Sequence, residues 1–357
     1  MARIRLVIED DPFLRLIGVI LDPATPAERI HAFADFFAHD LPDFDGWLQQ
    51  LRRRLPKLYS ADVPIVDSTE ALHGALGGAD FAVVESLPFG AAELAAAPKL
   101  RAVQKYGAIA GNIDAAACAA RGVAVMTIRR RANIACAEHT FALMLGLSRR
   151  LQRVTNRISL AALQAAGFAP RTYDRAHTAN SNWARVPGIS LLHGTTLGIV
   201  GMGEIGREVA TRAAAFGMSM RYHQRRPLAD AAAGPAHYAD LETLLESSDW
   251  VVICLPGNAS THHLFNALRF ARMKPGARLI NISRPEIVER NALIAALRSG
   301  HLGGFGLDPL YEAPGRDDDE LLQFENVLIT PHIAAQPRFN ALDDISDLLT
   351  GLEEKLK

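Results

Sequence analysis

Cysteine is almost absent from this chain. Cys118, Cys136 and Cys254 are the only three in 357 residues, and they lie far apart within apolar segments. None has metal-type spacing to another, so they read as reduced core residues. Neither sign of charge prevails: Lys and Arg number 38 against 39 Asp and Glu, a net charge of -1. No overall basic field exists to hold nucleic acid or an anionic membrane, so neither partner is expected. No apolar run reaches the length of a membrane-spanning helix. The first residues, Met1-Ala-Arg-Ile-Arg-Leu-Val-Ile-Glu-Asp-Asp11, turn acidic before the apolar segment of a signal peptide could form. These absences lead to the expectation of a soluble, cytoplasmic protein. Internal repeats are lacking too, and the short acid run 317–320 reads as a solvated loop.

What the chain has in quantity is apolar residues, 49% of the total. That share leaves no room for long disorder, and 357 residues suffice for two domains with separate cores. The most informative stretch is Thr196-Leu-Gly-Ile-Val-Gly-Met-Gly-Glu-Ile-Gly206. An apolar run enters a glycine triad, Gly201, Gly203 and Gly206, and an alanine-rich helical segment and a second apolar run follow. In a strand–turn–helix–strand unit each glycine has a task. The first permits the tight turn, the second lets backbone approach a pyrophosphate, and the third lets helix pack on strand. The helix N-terminus then faces the phosphates. Dinucleotide binding is the reading.

From about residue 197 to 330 strand and helix patterns alternate. Strands are expected at 197–200, 219–223, 250–255, 278–282, 304–307 and 327–329. Helices are expected at 205–216, 241–245, 265–270 and 289–298, the last closed by Gly300 as a C-cap. Continuous apolar strands separated by helices predict a parallel sheet covered on both faces. Earlier in the chain a second α/β unit is expected, with strands at 16–20, 63–66, 81–84, 101–104 and 123–126 and helices at 26–37 and 44–55; residues 4–8 are left open between strand and coil. A long helix, 134–150, should bridge the units. The polar, Gly- and Pro-broken stretch 151–192 reads as an excursion, an arm onto a second subunit, and 339–356 as a terminal helix. The expected division is a substrate-binding domain, 1–132 completed by 333–357, and a dinucleotide-binding domain, 133–332.

Four further signatures occur in order: Gly107-Ala-Ile-Ala-Gly-Asn-Ile-Asp114; Ala137-Glu-His-Thr-Phe-Ala-Leu-Met-Leu145; Met273-Lys-Pro-Gly-Ala-Arg-Leu-Ile-Asn-Ile-Ser-Arg284; and Gly306-Leu-Asp308 followed by Asn326-Val-Leu-Ile-Thr-Pro-His332. With the glycine triad, this ordered set resembles the D-isomer-specific 2-hydroxyacid dehydrogenases, which include glyoxylate/hydroxypyruvate reductases and phosphoglycerate dehydrogenases. The resemblance runs from about Phe81 to Ala335. It implies a doubly wound Rossmann domain beside a flavodoxin-like substrate domain, a homodimer, and a nicotinamide cofactor in a cleft between the domains.

The resemblance assigns roles residue by residue. Arg284 stands where the family's arginine binds the substrate's carboxylate and keto oxygen; a guanidinium fork can hold both and stabilise charge developing on the carbonyl. Pro285 replaces the usual glycine after it. His332 matches the family's acid/base histidine, suited to proton transfer near neutral pH. The family glutamate that supports this histidine falls by count on Ala313, and Glu312, one residue earlier, is taken to fill the role. Asp308 corresponds to the aspartate that holds the nicotinamide amide. Further cofactor contacts are expected at Glu204, Ile205, Leu255, Pro256, Ile282, Ser283 and Ala334. Backbone N–H groups of Ala108 and Ile109 should hold the substrate carboxylate, with Ile109 replacing a usual glycine.

Two readings come from the residues themselves. An acidic residue at the end of the second strand would favour NAD(H); here Gln224 stands there, followed by Arg225 and Arg226. Loss of the anion and gain of two guanidiniums favours the 2′-phosphate of NADP(H), with NAD(H) an alternative. The triplet Arg129, Arg130 and Arg131 precedes the bridging helix. It reads equally as a site for a second anionic group on the substrate and as a salt-bridge cluster. The leading expectation is hydride transfer between the nicotinamide and C2 of a 2-oxo or 2-hydroxy acid. The rivals are a dehydrogenase for another substrate class and a non-catalytic dinucleotide sensor.

Overall fold

A computed structural model describes residues 3–356. Two compact units are present: the chain up to Asn133 together with Ala335 onward, and Ile134–Ala334. The chain passes from one to the other within the helix Arg131–Arg149.

In the first unit, β1 (Leu6–Glu9), β2 (Ile65–Val66), β3 (Phe81–Val84), β4 (Ala102–Lys105) and β5 (Ala124–Met126) form a parallel sheet in the order β2-β1-β3-β4-β5. This is the flavodoxin-like order. Every residue of β1, β3 and β4 is buried, because both faces are covered. Alternation along β1 divides its side chains between two cores. Leu6 and Ile8 join Phe37, Leu51, Ile345 and Leu349, while Val7 joins Leu72, Leu94 and Cys118 on the opposite face. The terminal helix Phe339–Glu354 is therefore part of this unit's core.

The apolar segment expected as a strand at 16–20 is instead the helix Arg15–Leu21, and β1 lies earlier, over the residues left open. The reason is burial on all sides. Leu16 through Leu21 are all buried, so the segment shows no helical stripe, and a short continuous apolar run does not distinguish a buried helix from a buried strand.

In the second unit, β6 (Thr196–Val200), β7 (Ser219–His223), β8 (His237–Tyr238), β9 (Trp250–Ile253), β10 (Arg278–Asn281), β11 (Gly304–Leu307) and β12 (Val327–Ile329) make one parallel sheet. Its order is β12-β11-β10-β9-β6-β7-β8. The sheet reverses direction of growth between β6 and β9, as doubly wound folds do. The two-residue strand β8 is additional to the expected set; it has only two exposed residues, too little pattern to read. The acid run also differs from expectation. Asp319 pairs with Arg290 at 2.7 Å and caps the 3-10 turn Glu320–Gln323, while Glu320 pairs with Arg298.

Glycines set how closely elements pack here. A Cβ on Gly198 of β6 would lie 2.4 Å from Leu244 Cδ2, and one on Gly306 of β11 would lie 2.7 Å from Ile280 Cδ1 and 3.3 Å from Leu143 Cβ. At Gly146, a Cβ would come within 2.6 Å of Leu328 Cδ2 on β12. The helix Arg131–Arg149 thus lies close over β11 and β12.

Candidate active site

Most of the expected cofactor and reaction residues fall at one edge of the second unit's sheet. Gly201 follows β6, Gln224 follows β7, Leu255 follows β9, Ile282–Arg284 follow β10, Asp308 follows β11 and His332 follows β12. These are carboxyl ends of parallel strands, where open α/β sheets bind ligands.

The glycine turn has the shape a dinucleotide needs. Gly201 has φ +102, and a Cβ there would lie 2.4 Å from the carbonyl oxygen of Cys254 and 2.9 Å from Leu255 Cδ2. Gly206 sits in the first turns of the helix Glu204–Ala215, where a Cβ would lie 2.2 Å from the Gly201 carbonyl oxygen. Beside Gly203, the N-cap of that helix, a Cβ would meet nothing within 4 Å. Two glycines are therefore required by the fold, and the remaining one leaves a backbone surface that a phosphate can approach at a helix N-terminus. Glu204 and Ile205 begin that helix. On this local geometry the residues fit a dinucleotide.

At the end of β7, Gln224 Nε2 donates to the carbonyl of Arg226 at 2.6 Å and closes a tight turn. Arg225 and Arg226 are exposed on it, and Pro256 is exposed after Leu255. The thiol of Cys254 has its pKa pushed up by desolvation, so this position next to the glycine turn stays uncharged.

Arg284 is held by its neighbours. The side chain of Asn281, fully buried, donates through Nδ2 to the Arg284 carbonyl at 2.9 Å and accepts from Ser283 N–H at 3.0 Å. Ser283 Oγ donates to the Ile253 carbonyl at 2.8 Å, tying the turn to β9. Ile282 is buried between them. The Arg284 side chain is exposed, with its Nη1 donating to the Ser283 carbonyl at 2.8 Å. Its stem runs along Gly257, where a Cβ would lie 2.7 Å from Arg284 Cγ. Pro285 opens a 3-10 turn, Pro285–Ile287, a position that needs no backbone donor.

His332 rides on a turn organised by Asp308. The His332 N–H donates to the carbonyls of Asp308 and Thr330, both at 2.9 Å, and the residue takes φ +59. The Asp308 carboxylate, 1% exposed, accepts from Thr330 Oγ1 at 2.7 Å, Ile333 N–H at 2.8 Å and Ala334 N–H at 2.9 Å. Asp308 therefore holds the chain on both sides of an exposed imidazole. A carboxylate has about four acceptor sites, so three hydrogen bonds leave room for one more donor. Sequence reasoning missed His139, although it lies in a quoted signature. Its Nε2 is 2.8 Å from Thr330 Oγ1 and 3.5 Å from Asp308 Oδ1. Burial pushes its pKa down, opposed by the Asp308 charge.

Glu312 is exposed, and among the described residues no hydrogen bond or ion pair joins it to His332. It lines a cavity of about 200 Å³ together with Tyr311, Thr330 and Pro331, the residue before His332.

The other expected site residues belong to the first unit. Ala108 and Ile109 follow β4 past Gly107, which accepts from Ile128 N–H at 2.9 Å; Ala108 is exposed and Ile109 half-buried. In the arginine triplet, Arg131 is committed to acids of the terminal helix. Its Nη1 reaches Asp344 at 2.9 Å, its Nη2 reaches Asp347 at 2.8 Å, and its N–H also donates to Asp344. For this member the salt-bridge alternative is what the structure contains. Arg130 stacks over Tyr106, 4.3 Å to the ring centroid, and Arg129 is exposed. A carboxylate that the sequence did not single out closes the end of β3: Glu9 accepts from the N–H groups of Glu85, Ser86 and Leu87. An acid ending an otherwise apolar strand was the available signal.

Known proteins resemble this chain in sequence and in fold. Residues 141–334 match the family described as D-isomer specific 2-hydroxyacid dehydrogenase, NAD binding domain. The chain is 33% identical over 347 residues to glyoxylate/hydroxypyruvate reductase B of Shigella boydii serotype 4 (strain Sb227), covering 95% of this chain and 96% of that protein. Among solved structures, the TT0316 protein from Thermus thermophilus is similar with a TM-score of 0.52 and 27% identity, over 97% of this chain and 94% of that one. A glyoxylate reductase from Paecilomyes thermophila has a TM-score of 0.57 at 23% identity, over 100% and 96%; it supports the fold alone.

Proposed function

The chain belongs to the D-isomer-specific 2-hydroxyacid dehydrogenases, nicotinamide-dependent oxidoreductases, and from that premise we propose that it reduces a small 2-oxo acid at C2. Glyoxylate and hydroxypyruvate are the first candidates, on the similarity to a glyoxylate/hydroxypyruvate reductase. The observation that carries the reading is the pair of exposed side chains at one sheet edge, Arg284 after β10 and His332 after β12, each on a turn fixed by a buried polar residue. Bound at the glycine turn, the nicotinamide cofactor supplies the hydride. Arg284 binds the carboxylate and keto oxygen of the substrate and stabilises charge on that oxygen. His332 gives the proton to the oxygen in reduction and takes it back in oxidation. Asp308 contributes its remaining acceptor site to the nicotinamide amide, and Glu312, which lines one cavity with Pro331, is the carboxylate read as the support of His332.

The cofactor is NADP(H) by preference, because exposed Arg225 and Arg226 replace an acid at the end of β7. The arm supports a homodimer: Ile158 is 85% exposed and Leu191 65%, apolar area of the kind a second copy covers. Of the arginine triplet, Arg129 and Arg130 are the members read as recognising a second anionic group on the substrate, since Arg131 is engaged with Asp344 and Asp347. The test is oxidation of NADPH and NADH in parallel, with glyoxylate, hydroxypyruvate, pyruvate and a di-anionic 2-oxo acid. Turnover of one of them supports the assignment. Tight cofactor binding with no turnover of any would overturn it in favour of a dinucleotide sensor.

A further inference from the structure

The helix Arg131–Arg149 carries His139, Leu143 and Gly146 at spacings of four and three, so they share one face. Leu143 packs at Gly306 of β11 and Gly146 at Leu328 of β12. Both contacts depend on glycine, and the close approach they permit brings His139 to Thr330 at the end of β12. The hydrogen atoms in the resulting chain can be assigned. Thr330 has one hydroxyl hydrogen, and the ionised Asp308 carboxylate has none. At 2.7 Å from Asp308 Oδ1, Thr330 Oγ1 must donate to it. The 2.8 Å contact with His139 Nε2 then has only one workable direction: Nε2–H donates and Thr330 accepts.

We propose that His139 is a positioning residue for the reaction: it donates to Thr330, which donates to Asp308, and this relay fixes both the carboxylate and the turn that carries His332. Without the relay, Thr330 Oγ1 is free to rotate away from Asp308, and the carboxylate loses one of three donors that set its plane. The same carboxylate holds Ile333 and Ala334, so its rotation moves the backbone on the far side of His332. A charge-assisted chain with little solvent access has a strong directional preference; the His139 side chain is 15% exposed and Asp308 1%. The proposal rests on the assignment of His332 and Asp308 under Proposed function.

The experiment compares His139→Leu, His139→Gln, Thr330→Val and the double variant His139→Leu/Thr330→Val. Gln can place an amide N–H where the imidazole Nε2–H lies; Leu cannot. The relay predicts that His139→Leu and Thr330→Val each weaken cofactor binding and lower kcat by about tenfold, the effect of one lost hydrogen bond to a charged group. The KM for the oxo acid should change little. The double variant should be no worse than the worse single, because the two residues act through one chain, and His139→Gln should recover most of the loss. Additive losses, or equal losses in Leu and Gln, overturn the relay. If His139→Leu does not fold, Thr330→Ser, which keeps the hydroxyl, set against Thr330→Val decides: equal loss overturns the proposal. Cofactor dissociation constants are read by fluorescence without turnover. A wild-type protein inactive on every oxo acid therefore overturns the proposed reaction, while the cofactor measurements still decide the relay.

Discussion

A Cβ on Gly206 would stand 2.2 Å from the carbonyl oxygen of Gly201, so the helix behind the glycine turn is seated directly on the backbone of that turn. Gly203, between them, has no such neighbour within 4 Å. The two positions should therefore fail differently. Gly206→Ala is expected to lose about 1–3 kcal/mol of stability, the usual cost of overpacking, and to bind cofactor poorly. Gly203→Ala should melt close to the wild type yet bind cofactor about tenfold more weakly or worse, since its methyl group would occupy the approach to the pyrophosphate. Thermal melts and cofactor titrations on both variants check this. Equal stability losses would contradict the division of roles.

Arg284→Lys keeps the charge but not the fork. The guanidinium presents paired donors to a carboxylate and a neighbouring oxygen; an ammonium does not. We expect kcat/KM to fall about 100-fold or more, the scale seen when a donor to a developing oxyanion is removed. Near-normal kcat/KM on the best oxo acid would remove Arg284 from the reaction.

Arg225→Ala combined with Arg226→Ala should discriminate between cofactors. Only NADPH has the 2′-phosphate, so its kcat/KM should fall about tenfold further than that of NADH, on the scale of one or two lost charged hydrogen bonds. Both side chains are exposed, so stability should hardly change. An equal loss for both cofactors would mean that the pair does not read the phosphate.

Glu312 and Pro331 line one cavity, which places a carboxylate beside the residue that precedes His332 without a bond to the ring. Glu312→Gln is expected to lower kcat about tenfold, the scale of one lost interaction with a charged group, and to leave stability almost unchanged, because the side chain is exposed. An unchanged kcat would exclude Glu312 from the reaction.

His139 links acid stability to the same turn. Burial lowers its pKa below the ordinary 6.5 of the unfolded chain. On acidification the unfolded state takes up the proton first, so it binds more protons than the native state and stability falls. The loss begins near 6.5 and continues until the pH passes the lowered native value. His139→Gln, which cannot titrate, should lack this part of the acid dependence while keeping the rest. Denaturant midpoints measured across that range decide it; parallel curves for the two proteins would show that His139 does not contribute.

Much of this was legible in the sequence because local patterns carried it. The glycine triad, the alternation of apolar strands with helices, and the turn Asn281-Ile282-Ser283-Arg284 depend on neighbours within a few residues. Arg284 and the Gly201–Gly206 turn sit at the strand ends where the pattern puts them for that reason. Where a segment is buried on all sides, as in Arg15–Leu21, periodicity disappears and the strand expected there proved to be a helix. Where an element is two exposed residues long, as in β8, there was no pattern to read.

The sequence by itself determined which chemistry the chain can present: a dinucleotide turn, a guanidinium at a strand end, and an imidazole after the last strand. Tertiary structure decided the partners of those groups. His139 and Thr330 are separated by 191 positions and meet only because Gly146 and Gly306 let a helix lie close over two strands. Arg131 is matched to Asp344, 213 positions away, only because the terminal helix is part of the first unit's core. Neither pairing leaves a periodic trace along the chain. Hydrogen bonds between distant residues are set by how closely their elements pack, and that closeness is a property of the folded chain.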